Sequence, residues 1–260
     1  MLAARVLNRN SAWLIAHADE VVSREAGQAF AALAERRGRG EPMAYILGER
    51  EFYGLEFQVT PAVLIPRPET ELLVELALAR IAEDAASRVL DLGTGSGAVA
   101  VVLAKKRPQA LVTAVDVDYA ALGVARENAR RHRVRVRFFC GDWLGPLTGE
   151  KFDLIVSNPP YVAVGDPHLA LGDVRFEPQR ALAGGVDGLA CIRAIVATAR
   201  PHLAPGGWLL LEHGYDQAGA CRALLEGGGY GLVQSWPDLA GILRVSGGHA
   251  SWAQGENALK

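Results

Sequence analysis

From Arg88 onward the hydrophobic positions fall into short unbroken runs that alternate with longer amphipathic stretches, a rhythm that predicts a parallel sheet covered on both faces. It places strands at about residues 88–92, 111–116, 134–139, 152–157 and 207–212, with helices at about 97–107, 118–131, 188–203 and 215–227. The last stretch breaks the rhythm. Tyr230 to Trp236 and Gly241 to Val245 read as two strands joined by a short Pro-Asp loop, and so short a connection pairs them antiparallel.

Ahead of this region the pattern is helical through about residue 40. Ala26, Phe30, Leu33 and Ala34 fall on one face of a helix from Arg24 to Arg37, with Ser23 to cap its start and Gly38 its end. Arg36, Arg37 and Arg39 read as a solvated helix end, favoured there by the helix dipole. Gly48 to Thr60 alternates as a hairpin turning at Tyr53-Gly54. Pro66 and Pro68 then impose extended backbone before a helix that runs to about Glu83, with Glu69 and Glu71 in its first turn. The expected organisation is a helical domain over residues 1–47, a hairpin and linker over 48–67, and an α/β domain over 68–260.

Composition narrows the class. Hydrophobic residues at 50% and charged residues at 22% are ordinary for a globular chain, and a net charge of −2 gives no bulk attraction to phosphate backbones. Cys140, Cys191 and Cys221 are too far apart for a CxxC pair and the six histidines form no ligand cluster, so neither metal nor disulfide is expected. No apolar run approaches membrane-spanning length and no signal-peptide pattern opens the chain, so the expected location is cytoplasmic.

Two stretches carry candidate chemistry. Ser157-Asn158-Pro159-Pro160-Tyr161 follows an apolar strand, and neither proline can donate to a ladder, so the chain must open at that strand's carboxyl end, where ligands bind in parallel sheets. The segment offers a side-chain amide, carbonyls stiffened by proline and a flat ring, a set suited to gripping a planar group that bears an NH2. A lone Asn-Pro is also an ordinary turn. Upstream, Asp91-Leu92-Gly93-Thr94-Gly95-Ser96-Gly97 leads a strand through a glycine turn into a helix, with G-x-G-x-G spacing rather than the dinucleotide fingerprint. Asp116 ends the next strand, placed for ribose hydroxyls. Asp142-Trp143 ends the one after, an acid for an exocyclic amine and a face for an adenine ring. With no Lys or Arg in the turn to answer phosphates, and Asp91 near an ammonium end, the combination points to S-adenosylmethionine and a methyltransferase.

With these features in place the chain resembles the class I S-adenosylmethionine-dependent methyltransferases, and among them the release factor glutamine N5-methyltransferases of the HemK/PrmC family. The resemblance extends to Leu64-Ile65-Pro66-Arg67-Pro68-Glu69-Thr70-Glu71, Gly172-Asp173-Val174-Arg175-Phe176-Glu177-Pro178 and Leu209-Leu210-Leu211-Glu212-His213-Gly214. It implies a Rossmann-like fold: a seven-stranded, mostly parallel sheet with a C-terminal antiparallel hairpin, a small N-terminal helical domain and a connecting β-hairpin. It implies S-adenosylmethionine held by Asp91, Leu92, Gly93, Thr94, Gly95, Asp116, Asp142, Trp143 and Asn158. The substrate glutamine, from the GGQ tripeptide of class 1 peptide chain release factors, is then held by Asn158, Pro159, Pro160 and Tyr161, with Asn158, Pro159 and Tyr161 catalytic. The partner expected is that protein alone, without direct nucleic acid or membrane, and the chain is expected to be a monomer.

In the family the helical domain is longer, which implies a shortened start here and first helices that expose an apolar face. Three other readings fit parts of the pattern. The NPPY tetrapeptide is shared with N6-adenine nucleic-acid methyltransferases acting on a flipped base. A glutamine of a ribosomal protein is a second possible acceptor, and a non-catalytic binding subunit that keeps the fold is a third reading. Arg67, Glu69 and Arg175 read most simply as charges that pair with one another.

Overall fold

A computed structural model describes residues 1–250. Three helices open the chain, α1 (Leu2–Leu7), α2 (Ser11–Ala16) and α3 (Arg24–Gly38), followed by α4 (Met43–Leu47) and a hairpin of β1 (Glu49–Phe52) and β2 (Leu55–Gln58). The Ser23 hydroxyl caps α3 by accepting from the Ala26 N–H at 3.2 Å. The helix includes Gly38 as its last residue, with Arg39 at the C-cap, and the positive φ that reverses the chain falls at Gly40, at +91°. The hairpin turns at Tyr53-Gly54 as the alternation predicts, both residues having positive φ. None of α1, α2 or α3 contains a buried residue, and Ile15 in α2 is 77% exposed.

A short 3-10 turn, Pro68–Thr70, leads into α5 (Glu71–Leu78). This helix stops five residues before the expected Glu83 because Arg107 caps it: its guanidinium donates to the carbonyls of Leu78 and Ile81, each at 2.9 Å. The alternating region then gives β3 (Arg88–Leu92), α6 (Ala98–Lys106), β4 (Leu111–Asp116), α7 (Tyr119–His132), β5 (Val136–Cys140) and β6 (Phe152–Ser157). After a long connection come α8 (Ala190–Ala199), β7 (Leu203–Glu212), α9 (Ala218–Gly227), β8 (Gly231–Pro237) and β9 (Leu243–His249). The seven strands lie in the order β5-β4-β3-β6-β7-β9-β8, parallel through β7 and antiparallel at β9 and β8. The last ten residues of the expected 68–260 domain lie outside the described residues.

Strand alternation sorts the core into two layers. Val89, Leu154, Val156 and Leu210 pack with α5, α6 and the hairpin, while Leu90, Leu92, Ile155, Leu209 and Leu211 pack with α8 and α9. Both faces are thus covered, which is why these strands read as continuous apolar runs. At about 1.5–3 kcal/mol for each fully buried aliphatic side chain, this double burial dominates the fold's stability.

Among the strands, β7 and β9 depart most from expectation. β7 begins at Leu203 rather than 207, because Leu203 pairs with Phe152 before the register shifts at Pro205 to Gly207. β9 continues to His249, beyond the expected Val245, through Gly247 and Gly248. A Cβ at Gly247 would lie 2.6 Å from the Leu209 carbonyl oxygen, so glycine is what lets β9 press against β7.

Candidate active site

β3 ends at Leu92 and the backbone enters the glycine turn with φ of +72° at Gly93, +55° at Gly95 and +79° at Gly97. Each is a left-handed conformation that favours glycine. Asp116, at the end of β4, holds this turn: its Oδ2 accepts the Gly95 N–H at 2.8 Å and its Oδ1 the Asp118 N–H at 2.9 Å. Asp91 is only 2% exposed. Its Oδ2 accepts from the Thr94 hydroxyl at 2.6 Å and the Ala100 N–H at 3.3 Å. Burial pushes the Asp91 carboxyl up to about 6, against the lowering effect of those two donors. Asp116 is also raised by burial.

A cavity opens above these strand ends. Asp91, Gly93, Thr94, Gly95, Asp116, Asp142, Trp143, Asn158 and Pro160 all line it, so the structure gathers almost every residue the sequence singled out. Leu92 does not line it. Its side chain is fully buried in the layer beneath, and its carbonyl accepts from the Ser157 hydroxyl at 2.7 Å, which ties the end of β3 to the end of β6.

Asn158 stands at the wall between this cavity and a second one, and lines both. Pro159 and Tyr161 line the second, with Leu64, His168 and Leu169. The Asn158 amide is fixed from behind: its Nδ2 donates to the Thr70 hydroxyl at 3.0 Å, and Thr70 is itself 5% exposed. The Tyr161 hydroxyl donates to Glu212 Oε1 at 3.3 Å. Glu212 is 1% exposed, at the end of β7, and burial raises its carboxyl to about 7, opposed by the Thr70 and Tyr161 hydroxyls. The carbonyls after Asn158 are crowded by glycines: a Cβ at Gly184 would fall 2.5 Å from the Pro160 oxygen.

Residues 162–187 form the long loop that follows Tyr161, and it does cover the site, with Pro178, Arg180 and Ala181 lining the first cavity and Leu182 the second. The loop starts and ends at one place. The Val162 N–H donates to the Leu182 carbonyl at 2.9 Å and the Gly184 N–H to the Val162 carbonyl at 2.8 Å. Glu177 fastens its middle: it pairs with Arg67 and accepts from the Ile65 N–H at 3.1 Å. Arg67 and Arg175 therefore do not pair with Glu69, as the simplest reading expected, although the two long motifs are joined through Glu177. Arg67 finds Glu177, while Arg175 donates to the Arg39 carbonyl at 3.0 Å. Nor is the end of α3 simply solvated, since Arg36 pairs with Glu41 and Arg37 with Asp173.

Thr70 and Glu212 escaped the residue-by-residue reading. Thr70 lies in a proline-rich segment that a linker explains fully. Glu212 carried a signal: a carboxylate directly after Leu209-Leu210-Leu211 in a strand has no solvent to reach. Among the described residues no group of three or more His, Cys, Asp or Glu is placed to hold a metal, and no helix is long and apolar enough to cross a membrane.

Comparison with known proteins places this geometry. Residues 69–176 match the family model described as methyltransferase small domain, and residues 1–48 match the PrmC N-terminal domain. A release factor glutamine methyltransferase from Bordetella pertussis is 55% identical over 96% of this chain and 93% of its own length. A protein of the same name from Burkholderia pseudomallei is 54% identical over 95% and 90%. Among solved structures, a methyltransferase from Pyrococcus furiosus superposes with a TM-score of 0.59 at 21% identity, covering 85% of this chain and all of that one. A Thermus thermophilus 16S rRNA methyltransferase, solved with AdoMet and guanosine, gives a TM-score of 0.58 at 26% identity over 77% of this chain and 49% of its own.

Proposed function

Since the chain belongs to the release factor glutamine methyltransferases, we propose that its first cavity binds S-adenosylmethionine and that Asn158 presents the acceptor amide from the second. The reaction is methylation of a glutamine side-chain amide in a release factor, and the glutamine of the GGQ tripeptide in class 1 factors is the acceptor we assign. The observation that carries the reading is the position of Asn158 as the one wall residue of the NPPY segment shared by both cavities.

The donor set fits the cofactor. A buried carboxylate at Asp91 suits an ammonium group, and the free lone pairs of Asp116 suit a pair of hydroxyls. Trp143 offers its ring, with Asp142 beside it for an exocyclic amine. S-adenosylmethionine supplies an activated methyl group. The chain's own task is the acceptor, because the lone pair of a carboxamide nitrogen is delocalised into its carbonyl. Asn158 Oδ1 and the Pro159 carbonyl accept the two N–H bonds of the substrate amide and orient its nitrogen. They also stabilise the positive charge that nitrogen gains, an effect larger in the transition state than before it. Pro159 fixes the backbone that aims this carbonyl. Burial and the nearby Glu212 raise the Tyr161 phenol, so it stays neutral and acts as a donor to Glu212. No general base is needed before transfer, since the proton leaves an already charged nitrogen.

Transfer of labelled methyl to a purified class 1 release factor tests the reading, beside a copy whose GGQ glutamine is alanine and beside DNA. Label on the unaltered factor alone is the expected result. Label on DNA would assign the NH2 clamp to adenine instead.

A further inference from the structure

The glycine turn is held from two sides. On the cavity side Asp116 accepts the Gly95 N–H at 2.8 Å. From behind, the turn is held by Asn128 of α7. Ser96 stands between Gly95 and Gly97, both with positive φ, and glycines on either side leave a peptide free to rotate. Here it is fixed at both ends: Asn128 Nδ2 donates to the Ser96 carbonyl at 2.8 Å, and the Gly97 N–H donates to the Thr94 carbonyl at 2.8 Å. Ser96 lines the first cavity, whereas Asn128 is fully buried outside it.

The rest of the Asn128 amide goes to the hairpin. Its Oδ1 accepts the Gln58 N–H at 2.7 Å, and its Nδ2 donates to the Gln58 carbonyl at 2.9 Å as well as to Ser96. These partners settle the polarity of the side chain, because an inverted amide would set its NH2 against the Gln58 N–H and its oxygen against carbonyls. Ala125, three residues earlier on the same face of α7, also meets the turn: a Cβ at Gly97 would stand 3.0 Å from the Ala125 Cβ. One turn further along, the helix binds the hairpin alone. His132 Nε2 donates to the Glu56 carbonyl at 2.8 Å, and its ring packs against Phe57 at 5.1 Å between centroids.

We propose that Asn128 is a positioning residue for cofactor binding, which locks the Ser96-Gly97 peptide of the glycine turn and sets it against the end of β2. The inference rests on the assignment of the first cavity to S-adenosylmethionine. Without the amide, the Ser96 carbonyl is a buried acceptor with no donor, and the flexible glycines on either side let it turn to find one. The turn groups that line the cavity, Gly93, Thr94 and Gly95, shift with it. The loss therefore falls on the cofactor. The clamp at Asn158 stands at the end of a different strand, β6, and is fixed by Thr70 instead.

The test is the Kd for S-adenosylmethionine, measured by calorimetry on the full chain well below each variant's unfolding midpoint, beside steady-state methylation of the release factor. Asn128→Ala removes the amide, and Asn128→Ser leaves a hydroxyl too short to reach both Gln58 and Ser96. Each raises the Kd and the cofactor KM about 10-fold, in the range for loss of one or two buried hydrogen bonds. The KM for the release factor, and kcat at saturating cofactor, stay within about threefold of the parent. A variant that is only less stable does the opposite, losing kcat in proportion to its unfolded fraction with both KM values parental. His132→Phe is the control: it removes a bond from α7 to β2, touches no bond to the turn, and leaves the Kd within about twofold. A parental Kd in both Asn128 variants, an equal rise in His132→Phe, or failure of both Asn128 variants to fold overturns the proposal alone. A parent chain that binds no S-adenosylmethionine overturns the assignment of the cavity and this inference with it.

Discussion

Asp116 and Gly95, 21 residues apart, are joined by a hydrogen bond of 2.8 Å from the glycine N–H to carboxylate Oδ2. The residue expected to grip the cofactor's ribose thus also sets the turn that receives the rest of the cofactor. With Oδ1 holding the Asp118 N–H, one carboxylate aligns the ends of two neighbouring strands. Asp116→Ala is expected to weaken S-adenosylmethionine binding more than 10-fold, since a charge-assisted contact and the shape of the turn go together. Calorimetry on the isolated protein measures it; an unaltered Kd would remove Asp116 from the cofactor site.

Asn158→Ala removes the acceptor and leaves the cavity floor intact. Turnover should drop about 100-fold with cofactor affinity little changed, by analogy with deletion of an oxyanion-hole donor. Single-turnover transfer to the release factor gives the number, and parental rates would exclude Asn158 from the chemistry.

Asp91 makes a prediction about pH. Burial raises it to about 6, so the folded protein holds this proton more tightly than the unfolded chain does. Stability from this group is therefore full below pH 4 and declines as pH rises to about 6, by roughly 3 kcal/mol for a shift of about two units. Asp91→Asn should escape that decline. Denaturant titrations at pH 4 and pH 8 should show the variant gaining on the parent at the higher pH, while its cofactor affinity falls because the ammonium loses its counter-charge. A stability difference independent of pH would contradict the buried, proton-holding state.

Arg67 and Glu177 tie the segment before α5 to the loop over the site. Arg67→Ala leaves Glu177, 4% exposed, without its cation, at an expected cost of about 3 kcal/mol. Limited proteolysis should cut within residues 162–187 faster in this variant, and a parental digestion pattern would show that the pair does not fasten the loop.

The sheet was legible because both its faces are buried: Leu154-Ile155-Val156 and Leu209-Leu210-Leu211 admit no polar residue on either side. The glycine turn and the strand-end acids were legible for a related reason, since parallel topology puts every such end on one edge. What stayed hidden lies in contacts distant in sequence. Thr70 meets Asn158 across 88 residues, and Arg107 ends α5 from 29 residues away, so neither has a local periodicity to betray it. Gly247 and Gly248 disguised the length of β9, because their low strand propensity is overruled by the closeness of β7.

The bridge between Val162 and Ala183 closes the connection after Tyr161 into a pouch with a stitched neck. The Val162–Leu182 and Gly184–Val162 bonds hold the two ends of the pouch together, apart from the Arg67–Glu177 pair that fastens its middle. The chain next to Asn158 is therefore held at the neck by its own bonds, whatever the residues at the tip contact. The cover over the site and the rigidity needed to hold one amide nitrogen are separate properties of the same stretch of chain.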